Sequence, residues 1–354
     1  MKCSVHKLNN LQQISSIVPT GKLAILYATS DVFKEYAKVC QETFKDIQLI
    51  GCSTHKNLIS EGFTTQAIII FLSDIEVSTY CLKDIGRYPI LHIAQIEKSL
   101  KSLPSYNKDS TICFSLCSFT SHEEMVLTTI KQLLQNHQID LIGGTAATDS
   151  TGTSYVLLNN TLETDACILT FITNKSGKIK LYKENIFHPT NDWFIATDVD
   201  VDRRLIKQLD NKPCKQVLQT LVGNHDIESQ FLSNPFGLLL NDDMYIVSGR
   251  QVHSDGVEYY SNIYKNATLC RVQLGDYQKI SKETVENILK DIPRPSGTLA
   301  INCILRTIQF ENEKFDKTFA QNLSKLGDFA GFSSFGEQIH YQHCNQTLVL
   351  AVFE

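Results

Sequence analysis

The sequence predicts an α/β fold: two α/β domains built from repeated β-α-β-β units, with mixed sheets and glycine-rich turns at strand ends. Three observations carry this. A short motif of two apolar residues, a glycine and then small hydroxyl-bearing residues occurs three times. The copies are Leu49-Ile50-Gly51-Cys52-Ser53-Thr54; Leu141-Ile142-Gly143-Gly144-Thr145-Ala146, followed by Ala147-Thr148-Asp149; and Phe329-Ala330-Gly331-Phe332-Ser333-Ser334, followed by Phe335-Gly336-Glu337. Before each glycine stands a strand-like apolar run (Leu23–Thr29, Thr111–Phe119, Thr298–Arg306) and then an amphipathic helical pattern. After each comes a second apolar run (Gln66–Leu72, Ala166–Phe171, Thr347–Phe353), so the whole neighbourhood repeats, at uneven spacing unlike a solenoid.

In chain order, residues 1–20 read as an N-terminal helix or arm ending at Pro19-Thr20-Gly21. Leu23–Tyr27 is continuously apolar, as suits a strand buried on both faces. The helix after it sets Phe33, Tyr36, Ala37, Cys40 and Phe44 in one stripe, with Asp31 placed to cap it. In the second unit Thr120 or Ser121 stands at the cap and Glu123-Glu124 favour the positive end of the helix dipole. Met125, Val126, Ile130, Leu133 and Leu134 form its predicted buried face. In the third, Phe315, Phe319, Leu323 and Leu326 make the stripe and Gly327 fits a C-terminal cap.

Residues 174–296 break the pattern. Asn174–Gly177 is a turn, Ile179–Tyr182 alternates weakly, and Phe194–Val201 reads as a strand. Pro213 suits the first turn of a helix with Val217, Leu218 and Leu221 on its apolar face. Phe236–Leu240, Met244–Val247, Val257–Tyr260 and Ala267–Val272 read as strands joined by Asn241-Asp242-Asp243 and Ser254-Asp255-Gly256 turns. We expect an N-terminal domain over residues 20–180 and a C-terminal one over 190–354, the latter opening with these strands and closing with the third unit. The boundary falls near residues 172–195.

At 354 residues, 42% hydrophobic and 20% charged, the chain has an ordinary globular composition and enough length for two domains. A net charge of −5 argues against nucleic-acid or anionic-membrane partners, which need a basic face. No apolar run approaches the roughly 20 residues of a membrane span, and Met1–Lys7 lacks the apolar core of a signal peptide. A cytoplasmic protein is expected. The eleven cysteines contain no C-x-x-C pair, and several sit in predicted strands, so they read as reduced, buried, small apolar residues.

The usual catalytic signatures are missing. There is no phosphate-cradling glycine loop, and His122-Glu123-Glu124 is followed by Val126 where a zinc peptidase needs a second histidine. Gly331–Gly336 is one residue too long for G-x-S-x-G and leads into a strand, not a helix, which leaves a hydrolase using Ser333 or Cys52 only a near-miss motif. His340-x-x-His343-Cys344 has metal-ligand residue types without the second pair that structural zinc needs; a polar hairpin is the plainer reading. His188-Pro189 lies in the expected interdomain connector, with Trp193 nearby as a cleft or core residue. The glycine motifs have two readings: three tight turns framing a small polar pocket lined by Gly51, Cys52, Ser53, Gly143, Gly144, Thr145, Ser333, Ser334 and Glu337, or three equivalent turns packed against one another with no ligand.

These motifs resemble the FIST family of sensory domains, in its N-terminal and C-terminal halves. The family's opening pattern resembles G-C-S-T-x-G-E-I, which stands here as Gly51-Cys52-Ser53-Thr54-His55-Lys56-Asn57-Leu58. Gly143–Asp149 with Tyr155–Asn159, Leu209–Cys214, and Gly331–Glu337 with Asn345–Leu348 resemble later blocks in the right order. Lys56-Asn57 replaces the Gly-Glu pair that the third copy keeps at Gly336-Glu337, so if that glutamate binds a ligand, only the third copy can do so. The resemblance implies a ligand-sensing module, not an enzyme, with a histidine kinase or cyclic-di-GMP enzyme as signalling partner and an amino acid or similar small polar molecule as ligand. A stand-alone branch called NosP is described as binding haem and sensing nitric oxide, and this chain has no attached effector. On that reading His188, and after it His343, would be the haem and metal ligands.

Overall fold

The computed structural model describes residues 1–354 except Ser105, Ser121, Asn241 and Asp242. The cap expected at Ser121 and most of the turn expected at Asn241–Asp243 lie outside the described residues.

The first repeat runs β1 (Lys2–Leu8), a 3-10 turn (Leu11–Ser16), β2 (Leu23–Thr29), α1 (Phe33–Thr43), β3 (Gln48–Thr54), a hairpin of β4 (Asn57–Ile59) and β5 (Gly62–Thr64), and β6 (Ala67–Ser73). The second copies it: β7 (Ile75–Lys83), α2 (Ile93–Lys101), β8 (Thr111–Cys117), α3 (Glu123–Asn136), β9 (Asp140–Thr145), a hairpin of β10 (Val156–Leu158) and β11 (Thr161–Glu163), and β12 (Ala166–Asn174). The third starts with β13 (Ile179–Asn185) and is then interrupted. The inserted stretch holds β14 (Phe187–Asp200), β15 (Leu205–Leu209), β16 (Lys212–Pro213), α4 (Cys214–Val222), β17 (Phe236–Leu240), β18 (Asp243–Val247), β19 (Gly249–His253), β20 (Gly256–Tyr259) and β21 (Thr268–Leu274). The repeat resumes with α5 (Tyr277–Asp291), β22 (Gly297–Cys303), α6 (Ile304–Asn312), α7 (Asp316–Leu323), β23 (Phe329–Ser334), a hairpin of β24 (Glu337–Ile339) and β25 (Gln342–Cys344), and β26 (Thr347–Phe353).

Two compact units result. One comprises Met1–Glu184, Ser281–His343 and Leu348–Glu354; the other comprises Asn185–Ile280 and Cys344–Thr347. The third repeat falls in the same unit as the first two, and the stretch inserted into it makes up most of the other.

In the first unit each repeat builds four strands of a six-stranded sheet, and the remaining two are a hairpin from another repeat. The orders are β1-β6-β2-β3-β10-β11, β7-β12-β8-β9-β24-β25 and β13-β26-β22-β23-β4-β5. Hairpin one completes sheet three, hairpin two sheet one, and hairpin three sheet two. The leading and motif strands pair in parallel (β2–β3, β8–β9, β22–β23), while their outer neighbours are antiparallel, so each sheet is mixed. Central strands such as β8 and β26 are buried along their whole length, which explains their unbroken apolar sequence.

Helices cover the sheets with the expected stripes. On α1, Phe33, Ala37 and Cys40 are buried against Leu26, Ile69 and Phe71; a fully buried Phe contributes about 2–3 kcal/mol. On α3, Val126, Leu127, Ile130, Leu133 and Leu134 face Cys113, Leu141 and Leu169. Met125, expected inside, is 44% exposed, and Leu127 takes its place one step around the helix. Val32, not Asp31, is the cap residue of α1, with no side-chain cap bond. The N-terminal arm is the strand β1, and the apolar run from Thr298 turns helical after Cys303. That turn swings Arg306 into the interior, where its guanidinium meets the Glu184 carboxylate with both side chains buried.

The second unit is one sheet, β18-β17-β21-β14-β15-β20-β19, with β16 beside β15. Cys214 and Leu218 of α4 pack on Ile206, Leu209, Phe236, Tyr259 and Leu269. His188-Pro189, expected in a connector, lies within β14, where the register with β21 slips between Pro189 and Trp193. Trp193 is 45% exposed and closes no core.

Candidate functional site

The three motif glycines do the same thing three times. Each is the register partner of a leading-strand residue: Gly51 of Leu26, Gly143 of Ser115 and Gly331 of Ala300. A Cβ would stand 2.5, 2.1 and 1.9 Å from the carbonyl oxygens of those residues, so only glycine allows the approach. Gly144 is equally confined, its missing Cβ 2.9 Å from Ser334 Oγ and 2.7 Å from Ile301 Cγ2.

Backbone groups and the Ser53 hydroxyl then tie one repeat to the next. Ser53 Oγ donates to Ala147 O (2.6 Å) and accepts from Tyr155 N (2.9 Å). Thr145 N donates to Gly336 O (2.9 Å), and Phe335 N to Thr145 O (3.0 Å). Ser334 Oγ donates to Gly336 O (2.6 Å), while Ser333 N reaches Lys56 O (2.8 Å) and Ser333 Oγ bonds to Thr307 Oγ1 (2.8 Å). Gly51, Cys52, Ser53, Gly143, Gly144, Thr145, Ser333, Ser334 and Glu337 are all buried. The three motifs therefore meet as expected, as a packed hub bound largely by its own backbone. In the first copy Lys56 pairs with Glu311 (2.5 Å) and Asn57 bonds to Gln66 O (2.8 Å), both structural uses of the positions that diverge from the family pattern.

Beside the third copy, polar capacity is left over. Buried polar atoms are nearly always hydrogen-bonded, yet Thr145 Oγ1, Gln338 Nε2 and His343 Nε2 are buried with no partner, as are Thr120 Oγ1 and His122 Nδ1 just before α3. Pairing sets three of these residues on neighbouring strands, Thr145 on β9, Gln338 on β24 and His343 on β25. Gln338 lies opposite Gly143 and Glu337 opposite Gly144, so neither meets a facing side chain. Gln338 Oε1 accepts from Ser115 Oγ (2.5 Å), which leaves its amide nitrogen unspent. His343 is 7% exposed; its Nδ1 contacts Glu124 Oε1 (3.0 Å) in the first turn of α3, and its Nε2 lies where a Gly336 Cβ would be, 1.8 Å away. Phe119 and Phe335 meet edge to face nearby. Sequence reasoning named Thr145, Glu337 and His343 but missed Gln338, because the signal is a strand partner 195 positions distant in the chain (Gln338 to Gly143), not a motif.

The remaining expectations separate. His340 is exposed beside Asp140 (3.5 Å) while His343 points inward, and no group of three potential metal ligands occurs among the described residues. Cys52 is wholly buried, with its thiol pushed well up by desolvation, and Ser333 bonds a threonine hydroxyl, not a base. A haem does not fit His343 as placed: one ring nitrogen contacts a carboxylate and the other abuts Gly336, which leaves no room for an iron bond of about 2 Å. His188 belongs to the second unit and is exposed, its Nε2 2.5 Å from the position of a Gly275 Cβ. The apolar crevice of that unit, lined by Leu218, Phe231, Phe236 and Tyr259, holds about 10 Å³ and does not include His188. Small-molecule sites measure about 300–1,000 Å³, so this crevice is no haem slot.

Residues 22–212 match the FIST N domain and residues 215–340 the FIST C domain. No curated protein resembles the chain closely enough to match it. With one match spanning more than half of the chain and the second following it directly, the chain belongs to the FIST family of small-ligand-sensing domains of signalling proteins.

Proposed function

We propose that this chain is a cytoplasmic sensor that binds a small zwitterion, such as a free amino acid, where the third glycine motif meets α3, and reports occupancy to a separate histidine kinase or cyclic-di-GMP enzyme. The observation that carries the reading is the gathering of unspent buried atoms at Thr145, Gln338 and His343. Gln338 Nε2 donates, as a ligand carboxylate requires, and the Thr145 hydroxyl can donate or accept. The Glu124 carboxylate borders the same place and suits an ammonium group, while Glu337, one residue before Gln338 on β24, faces the other side of the strand. Ser333 and Ser334 support the wall through their own bonds. Because the place is closed, a ligand enters only if the His343 ring leaves Gly336. Occupancy is thereby coupled to the β24–β25 hairpin, which is the coupling a sensor needs. No helix among the described residues is long and apolar enough to cross a membrane.

Thermal-shift measurement across the free amino acids tests this. At 100 times its Kd a ligand stabilises by about 2.7 kcal/mol, or roughly 5–10 °C for a unit of this size. We expect the shift for one chemical group of amino acids and its loss in Gln338→Leu and His343→Ala. No shift with any of them, or a shift that survives both variants, sinks the reading. Haem reconstitution gives the opposite result its chance: a Soret band abolished by His188→Ala would favour the haem and nitric-oxide reading, which rests on the exposed imidazole of His188.

A further inference from the structure

The first unit carries an open groove of about 560 Å³ along the outer edge of β1. One wall is Ser4–Lys7 of β1. The other is Ile59-Ser60-Glu61 at the tip of the first hairpin, with Ser324 and Gly327–Phe329 leading into β23. β1 pairs with β6 on one side and ends its sheet on the other. Alternate residues of an edge strand aim their N–H and C=O away from the partner, here into the groove. His6 adds a buried Nε2 with no partner.

The second repeat shows what a closed version looks like. There β7 is the edge strand, and Thr79 Oγ1 donates to Gln48 Oε1 (3.0 Å) at the start of β3. Asn159 Nδ2 donates to the same oxygen (3.2 Å), while its Oδ1 accepts from Leu49 N (2.9 Å). Gln48 stands three residues before Gly51; the residue three before Gly331 is Asp328, an exposed carboxylate with no ion pair among the described residues. One groove is bridged by side-chain amides, and its counterpart is left open with acid at its wall.

We propose that this groove takes an extended basic segment of a partner protein, which adds to the sheet as a further strand on β1. Four residues of edge span about 13 Å, a length that suits strand addition, in which main-chain bonds give affinity and flanking side chains give specificity. Glu61 and Asp328 outnumber Lys7, so the groove favours cations. The Lys7–Glu61 pair across one end is exposed on both sides and opens at little cost. The proposal shares no residue with the site at Thr145, Gln338 and His343, so each can fail without the other.

The test uses the full chain and three fluorescein-labelled hexapeptides: alternating valine and lysine, alternating valine and glutamate, and the lysine peptide N-methylated at alternate residues. Anisotropy should show saturable binding of the lysine peptide alone, at least tenfold weaker for Asp328→Lys, with amide exchange of Ser4–Lys7 slowed at least tenfold. Asp328 is exposed, and an unchanged melting temperature will show that the variant folds. The idea is overturned by absence of binding, by equal binding of the glutamate or methylated peptide, by indifference to Asp328→Lys, by unprotected β1 amides, or by competition from free lysine as strong as from the peptide.

Discussion

Replacing Gly331 by alanine tests whether the hub is held by close strand approach. The new Cβ would lie 1.9 Å from Ala300 O, and ordinary contact begins near 3.4 Å, so β23 must retreat from β22 by 3.4 − 1.9, about 1.5 Å. A retreat of that size takes typical ladder bonds beyond 3.2 Å, at a cost of about 3 kcal/mol or more. Alanine returns about 0.5–1 kcal/mol through its lower unfolded-state entropy. The net loss of about 2–3 kcal/mol lowers the melting temperature by roughly 5–10 °C. The same arithmetic ranks the equivalents: Gly143→Ala close behind at 2.1 Å, and Gly51→Ala mildest at 2.5 Å. Gly152→Ala is the control, since φ is +81° there and no atom lies within 4 Å, which leaves about 1 kcal/mol of backbone strain. Differential scanning calorimetry of the four variants decides the matter. If Gly331→Ala melts no lower than Gly152→Ala, the glycines are not there to let the strands approach.

Arg306→Ala should cost about 3–5 kcal/mol by leaving Glu184 buried alone, whereas Arg306→Met with Glu184→Leu should recover most of it; equal denaturation midpoints for the single and double variants would refute the pairing. Ten of the eleven cysteines are buried and burial pushes the Cys81 thiol up to about 11, so at pH 8 only about one part in a thousand is thiolate. Ellman's reagent should find no fast thiol in the native chain and eleven in guanidinium; fast native labelling would contradict the packing. The Asp149 carboxyl is held far below its usual range, first by the Thr151 hydroxyl and then by Thr153 N–H. A depressed folded value contributes stability above the unfolded value near 4 that is lost as pH falls. Amide protection of residues 149–155 should therefore drop below about pH 4, and an Asp149→Ala chain should show no such step.

What could be read in advance was local or periodic. The three glycine motifs, the strands beside them and the helical stripes each rest on a few adjacent residues, and apart from Met125 and the end of β22 they stand where expected. The exchange of hairpins was not legible, since β4, β10 and β24 are three residues each and cannot declare a partner in another repeat. That the N-terminal arm is a strand was not legible for a related reason: Lys2, Lys7 and His6 dilute the apolar alternation of an edge strand. The end of β22 at Cys303 was hidden by the apolar Ile304-Leu305, and nothing nearby shows that Arg306 turns inward to Glu184. The site divided in the same way. Glycine and hydroxyl chemistry announced the hub, whereas the unspent atoms of Gln338 and His343 depend on which strand faces them.

That division bears on how such a chain can report a ligand. A hairpin that completed its own repeat's sheet could shift without consequence elsewhere. Here the β24–β25 hairpin is hydrogen-bonded to β9 of the second repeat. The second repeat's own hairpin is bonded to β3 of the first, and the first repeat's hairpin to β23 of the third. On the proposed reading, moving His343 off Gly336 disturbs a pairing with a strand of another repeat, and the closed cycle leaves no repeat able to respond alone. The hydroxyl of Ser53, bonded to Ala147 O and Tyr155 N, and that of Ser334, which accepts from Thr145 N, cross the same junctions, which makes small, packed side chains at the hub a requirement of the coupling as well as of stability. If the proposed site takes a ligand at Gln338, two discrete packings of the hub suffice to turn its occupancy into a change felt by all three sheets.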